Sequence, residues 1–209
     1  MDTDTPHPWL ERIELIAGAP CLDFINSMSD HGGPKPTERL TSYGELVFWT
    51  RRCGLLTEVE AARFTALGQK HPRAGATALK AALRFREAAF RMLLALAAEA
   101  EPAAADLAEV NRVVNEAQAG LELVPVAGHY HLDWRDSGSR PQQLLWRVAR
   151  ALATLMTSDQ LLTVRVCAGE ACGWLFLDQS RNHLRRWCSM SDCGNRAKAR
   201  DFYKRQRTG

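Results

Sequence analysis

Six cysteines occur in the chain, and four of them form two pairs near its end, Cys167 with Cys172 and Cys188 with Cys193. Four residues intervene within each pair and fifteen lie between the pairs. Each half is short enough for both thiolates to hold the same ion, and four Cys ligands fill a zinc tetrahedron with no open position for water or substrate. The pattern predicts one structural Zn2+ per chain, architectural and not catalytic. Two disulfides are the alternative, but they require an oxidising compartment that nothing in the sequence supplies.

The rest of the chain has to provide a core of its own. With 209 residues and 46% hydrophobic composition it can bury an ordinary one, and its length allows one domain with a small appendage. Met1 to Pro8 lacks the basic-then-apolar layout of a signal peptide, so a cytoplasmic protein is expected. Apolar runs such as Met92 to Ala98 fall far below the roughly 18 residues of a membrane span.

Formal charge divides the chain. Residues 165–209 hold ten Lys or Arg against four acids, a net +6, although the whole chain carries only +3. The preceding residues are therefore net acidic, and the positive charge gathers around the cysteines. Four zinc-bound thiolates would lower the tail to about +4, which leaves it cationic.

Along the chain, Ile13 to Asn26 is apolar and reads as one or two strands, and His31 to Pro36 as a Gly- and Pro-rich loop. Ser42 with Glu45 and Thr57 with Glu60 have capping-box spacing, so two helices follow, the first closing at Gly54 and the second running towards Lys70. Apolar residues at helical spacing predict a long helix over Thr77 to Ala100. Another is expected with Pro102 in its first turn and Gly120 at its end. Leu121 to Val126 and His129 to Trp134 read as a hairpin, Ser137 to Pro141 as a loop, Leu144 to Met156 as a helix and Leu161 to Val166 as a strand. The expectation is an α+β fold: a mostly helical domain over 1–160 with a few short strands, then a small zinc module over 161–209.

Within that module, Gly173 to Asp178 reads as a β-run whose aromatics cover the metal. The residues from Gly194 onward favour a helix capped by Ser191 or Asp192. Helical spacing aligns Arg196, Arg200, Lys204 and Arg207 as a basic stripe, with Ala199 and Phe202 turned to the metal core. A knuckle, a hairpin and a helix sharing one zinc resemble the treble-clef arrangement, with four-residue gaps wider than the commonest two.

Cys172-Gly-Trp-Leu-Phe-Leu-Asp178, Ser180-Arg-Asn182, Arg185-Arg-Trp-Cys-Ser-Met190 and Cys193-Gly-Asn-Arg196 together resemble the CGNR zinc finger, from Cys167 onward. Upstream, Leu15-Ile-Ala-Gly18 and Leu22-Asp-Phe-Ile-Asn-Ser27 are similar to the opening of the ABATE domain, with Ala17 and Ser27 where Gly and Thr are expected. The resemblance implies a bacterial stress-induced transcription regulator. Its α/β sensor domain would bind a small-molecule or protein effector, and its finger would bind DNA.

Arg181, Arg185, Arg186, Asn195, Arg196, Lys198, Arg200 and Lys204 are the candidate nucleic-acid contacts, because clustered cations release counterions from phosphates. Arg196 and Asn195 near a helix start suit base edges, and Asn195 equally suits a local cap. A nucleoid-associated DNA regulator is the leading expectation, with an RNA- or protein-docking module as the alternative. Many regulators dimerise on palindromic sites, although no heptad marks a homodimer segment here. Asp23 and Asn26 are candidates to orient a ligand, or else to bond the adjoining turn. His129 and His131 share a strand face without a third metal ligand, and Cys21 and Cys53 read as buried thiols. No Gly-rich phosphate loop, nucleophile elbow or open metal set suggests an enzyme.

Overall fold

In a computed structural model that describes residues 8–134 and 138–208, two capping boxes set the start of the first long helices. The Ser42 side chain accepts the Glu45 N–H while the Glu45 carboxylate accepts the Ser42 N–H, and α3 (Tyr43–Arg52) follows. It stops at Cys53, and Gly54 then turns with φ +75°, a left-handed conformation that glycine adopts without strain. Thr57 and Glu60 repeat the device for α4 (Glu58–Lys70), and Pro72 opens α5 (Pro72–Ala97). Ahead of these lie two short helices, α1 (Pro8–Arg12) and α2 (Pro20–Ile25).

The next elements are α6 (Ala104–Ala119) and a hairpin of β1 (Leu121–Val126) and β2 (His129–Trp134). The strands pair antiparallel with Leu121 opposite Trp134 and Val126 opposite His129. Between them Ala127 and Gly128 both have positive φ, 49° and 83°, which matches the twist of a tight hairpin turn. His129 and His131 are both exposed on this hairpin. Of the expected 137–141 loop, Ser137 lies outside the described residues. The remainder is irregular, held by the Gln143 carboxamide oxygen, which accepts the N–H groups of Gly138 and Ser139.

Helix α7 (Gln143–Met156) then buries Leu144, Leu145, Val148, Ala149, Leu152 and Leu155 along one face. With α2, α3, α5 and α6 around it, this face forms the centre of the core. A 3-10 turn (Asp159–Thr163) leads into β3 (Val164–Val166), which pairs antiparallel with β4 (Leu175–Leu177). A π-helical turn (Met190–Gly194) runs into α8 (Asn195–Thr208). The result is an α+β chain, mostly helical, whose strands form only two two-stranded pairs among the described residues.

Four expectations need correcting. Ile13 to Asn26 holds no strand: Pro20 opens α2, in which Cys21, Leu22, Phe24 and Ile25 are all buried. A helix enclosed by core on every side shows no amphipathic period, so its composition imitates a strand. The strand expected over Leu161 to Val166 shortens to β3, because Leu161 and Leu162 lie in the 3-10 turn. Pro102 precedes α6 instead of entering its first turn. In α8, Ala197 is the side chain turned inward, while Phe202 is 53% exposed. Counting from buried Cys193, one turn reaches Ala197, whereas Phe202 comes half a turn out of phase.

Among the described residues, no helix is long and apolar enough to cross a membrane. Cys21 and Cys53 are buried, and burial pushes the Cys21 thiol up to about 12 and Cys53 well above its usual value, which suits inert packing.

Candidate metal centre

Three residues of strand join two cores. Alternation along β4 turns Leu175 and Leu177 into the helical core and Phe176 the other way, against Cys167, Cys172, Cys188 and Cys193. Each fully buried leucine contributes about 1.5–3 kcal/mol, so the short strand anchors the module as it shapes the metal site.

The chain then brings the two cysteine pairs together through its backbone. The Cys167 N–H donates to the Trp174 carbonyl at 2.8 Å, closing the first loop, and the Ala168 N–H donates to the Arg186 carbonyl at 2.9 Å, bringing in the second. Asp178 fixes the intervening segment: its carboxylate accepts the Ser180 N–H and Oγ and the Arg185 N–H. Hydrogen bonds, Ser180's first, hold that carboxyl below its usual range.

All four cysteines are buried and none is disulfide-bonded. Their Sγ atoms lie within 4.8 Å of one another, with Cys172 to Cys188 at 3.7 Å and Cys188 to Cys193 at 3.6 Å. Zn–S bonds of about 2.3 Å in a tetrahedron require sulfur separations of about 3.8 Å, so the donor set fits. Donors also surround the sulfurs. Cys167 Sγ accepts the Gly169 and Cys188 N–H groups at 3.4 and 3.3 Å, and Arg196 Nη2 donates to Cys193 Sγ at 3.1 Å.

Electrostatics point the same way. Hydrogen bonds from the neighbouring thiols draw Cys167 well below the ordinary thiol range, so the cluster shares its protons unevenly. A coordinating dication ionises its thiol ligands outright and so ends the uneven sharing. The four residues constitute the site of one structural Zn2+, with its coordination filled by protein.

The expected cationic residues part company. Arg181, Arg186, Lys198 and Lys204 are exposed, with Arg186 stacked over the Trp187 ring at 5.0 Å. Arg200 is half-buried, 3.4 Å from Glu170. Asn195 Nδ2 donates to the Ser191 carbonyl four residues back across the π-helical turn, and Arg196 pairs with Asp192 at 3.1 Å besides bonding the Cys193 sulfur. The π-helical turn takes the place of the expected Ser191 or Asp192 cap. Arg185 faces inward: its guanidinium donates to the Trp187, Cys188 and Ile16 carbonyls and lies 4.4 Å from the Phe176 ring centre.

Asp23 and Asn26 also have internal work. Asp23 Oδ1 accepts the Ala17 N–H at 3.1 Å, and burial raises its carboxyl to about 6, partly offset by that bond. Both amide atoms of Asn26 bond the main chain of Leu175. They belong to a joint that the sequence did not reveal. The Leu177 N–H donates to the Ala17 carbonyl, Trp174 Nε1 to the Met28 carbonyl, and the Gly32 N–H to the Cys172 carbonyl. Gly173, at φ +66°, presses so closely on this loop that a methyl group there would stand 2.3 Å from the Gly32 nitrogen.

Behind the loop, buried Arg86 binds Ser27, Glu38 and Glu87, and His31 bonds Glu87 at 2.9 Å while stacking on Phe90. Long-range main-chain partners leave no local signature.

Residues 18–159 match the ABATE family model, whose description reads "Putative stress-induced transcription regulator", and residues 163–206 match the CGNR zinc finger model. No curated protein matches the chain.

Proposed function

Because this chain belongs to the ABATE family and carries a CGNR zinc finger, we propose that it is a zinc-dependent DNA-binding transcription regulator of the cytoplasm. In this reading residues 1–160 sense an effector and residues 161–209 dock on DNA. The observation that carries it is the placement of exposed Arg181, Arg186, Lys198 and Lys204 on a module whose shape four buried sulfurs fix. A rigid cationic surface suits a phosphate backbone, since counterion release then drives binding at little further ordering cost.

Arg200 joins that surface when DNA displaces Glu170. Arg196 is better suited to neutralising the thiolate cluster, and Arg185 to holding the finger on the larger domain. No catalytic role is assigned: a tetrahedral site filled by thiolates offers no open coordination position.

The test is an anisotropy titration of the zinc-loaded full chain with genomic DNA fragments at several salt concentrations. Affinity should fall linearly with salt on logarithmic axes, with a slope of about −0.9 per phosphate contact. Absent or salt-insensitive binding rejects the reading. Enrichment of RNA over promoter DNA in crosslinked material would transfer the same surface to RNA.

A further inference from the structure

We propose that the open cleft between α2, β2 and α7 binds a small organic carboxylate carried on an apolar or aromatic body. The inference deepens the regulator reading and rests on it only for the consequence of binding. The cleft has a volume of about 410 Å3, inside the roughly 300–1,000 Å3 common for small-molecule sites. Its walls are the start of α2 with Cys21, the Gly54–Leu55 turn, Trp134, and the α7 face from Arg147 to Leu155.

The two arginines differ in a way that selects the ligand. Arg147 Nη2 is 2.5 Å from the Glu60 carboxylate and 3.7 Å from Asp133, so its charge is met within the protein. Arg150 donates to the Leu132 carbonyl at 2.9 Å and has no acidic partner among the described residues. It stands exposed at the cleft with a guanidinium fork that matches a carboxylate. The Gln160 carboxamide, also exposed, has no hydrogen bond among the described residues and adds a second group at the rim.

Between them the lining mixes apolar side chains with the Thr154 hydroxyl. The Trp134 indole N–H is committed to the Ala117 carbonyl and its buried ring lies beneath the Arg147 and Arg150 guanidiniums, at 5.0 and 6.0 Å, so the tryptophan is the floor on which the two cations rest and adds no donor of its own. Ala19, Ala151 and Leu155 form the aliphatic wall. A cation without an acidic partner beside an aliphatic wall calls for an anion with an apolar body.

The cleft also abuts the finger. Gly18 lines it, and a methyl group on Gly18 would meet Leu177 Cβ at 3.3 Å, while the neighbouring Ala17 carbonyl accepts the Leu177 N–H at 2.8 Å. Gln160 lies in the 3-10 turn whose Thr163 carbonyl accepts the Asp178 N–H at 2.8 Å. An occupant touching Gly18 and Gln160 therefore bears on both segments that seat β4.

Calorimetric and 1H–15N NMR titrations of the zinc-loaded full chain test the site, with sodium benzoate and sodium octanoate as probes and benzamide as the neutral counterpart. Saturable binding is expected for at least one carboxylate, with shifts at the Trp134 indole and a response to benzamide at least about tenfold weaker. Arg150→Ala and Ala151→Phe should each weaken binding about tenfold or more while retaining the parent's helical circular dichroism. No saturation by either carboxylate, equal binding of benzamide, or an unaltered Arg150→Ala variant overturns the proposal. A parallel DNA titration separates the two readings. Carboxylate binding without any DNA binding upholds the site and removes the regulator, whereas DNA binding without a carboxylate site does the reverse.

Discussion

Asn26 stands in for a strand beside Leu175. Its Oδ1 accepts the Leu175 N–H at 2.9 Å and its Nδ2 donates to the Leu175 carbonyl at 2.8 Å, so one carboxamide satisfies both polar groups of a buried residue. Those groups belong to the finger and Asn26 to the larger domain, which makes the pair a direct measure of how strongly the two are joined. Replacing Asn26 with Leu keeps the branched heavy-atom skeleton and leaves both groups unpaired. Each unsatisfied buried group costs about 1–3 kcal/mol, so urea unfolding of the zinc-loaded protein should show a loss of about 2–6 kcal/mol. A loss under about 0.5 kcal/mol would show that the bonds do not couple the domains.

Zinc removal should reach beyond the finger. Leu175 and Leu177 sit in the helical core, so unfolding the metal site withdraws two fully buried leucines from it. At about 1.5–3 kcal/mol each, and about 2–4 °C per kcal/mol for a chain of this size, Tm of the remaining fold should drop by about 10 °C on chelation. Thermal melts followed at helical circular dichroism, with and without chelator, read this out. An unchanged helical transition contradicts a shared core.

Burial of Asp23 predicts a pH dependence of definite sign. The folded carboxyl titrates at about 6 and its ordinary value is 3.8, so between these the native state holds the extra proton. The contribution of Asp23 to stability is therefore greatest below 3.8 and is lost as pH rises through 6, by about 3 kcal/mol in all. Asp23→Asn keeps an acceptor for the Ala17 N–H and removes the charge. Relative to the parent, the variant should gain more than about 1 kcal/mol between pH 5 and 7, both proteins zinc-loaded, which cancels effects common to the metal site. A constant difference across that window would refute the assignment.

Arg185 and Arg186 are adjacent, and their substitutions should separate cleanly. Arg185→Ala removes charged donors from the Trp187, Cys188, Ile16 and Leu177 carbonyls and a cation from the Phe176 face, so a stability loss of about 1.5–3 kcal/mol is expected. Lysine should not restore it, because it lacks the planar fork. Arg186→Ala, like Lys198→Ala, should leave stability within about 0.5 kcal/mol while reducing the magnitude of the salt slope for DNA by about one. Parallel denaturation and DNA titrations decide it, and a reversed pattern would exchange the two roles.

Much of this was legible because it is local. Ser42 with Glu45 and Thr57 with Glu60 announce helix starts in four residues, Ala127-Gly128 marks a hairpin, and the cysteine spacing defines a tetrahedron before any coordinates exist. What stayed hidden depends on partners far along the chain. Nothing near Arg185 tells it apart from Arg186, since the carbonyl that turns it inward lies at Ile16. Asn26 shows a polar residue after an apolar run, and its partner is 149 positions away. Helix α2 imitates a strand in sequence because Cys21, Leu22, Phe24 and Ile25 are all enclosed, and Pro20 at its first turn is the local sign of a helix.

The meeting of Gly32 with Gly173 has a bearing on how such proteins can be rearranged. A finger that looks like a detachable cassette in the sequence is seated here on bare backbone, at a spot where neither side can accept even one extra carbon without displacing the other. Grafted onto a foreign scaffold it would bring its ion but leave behind half of its foundations, and any shuffling of these halves must inherit both glycines together.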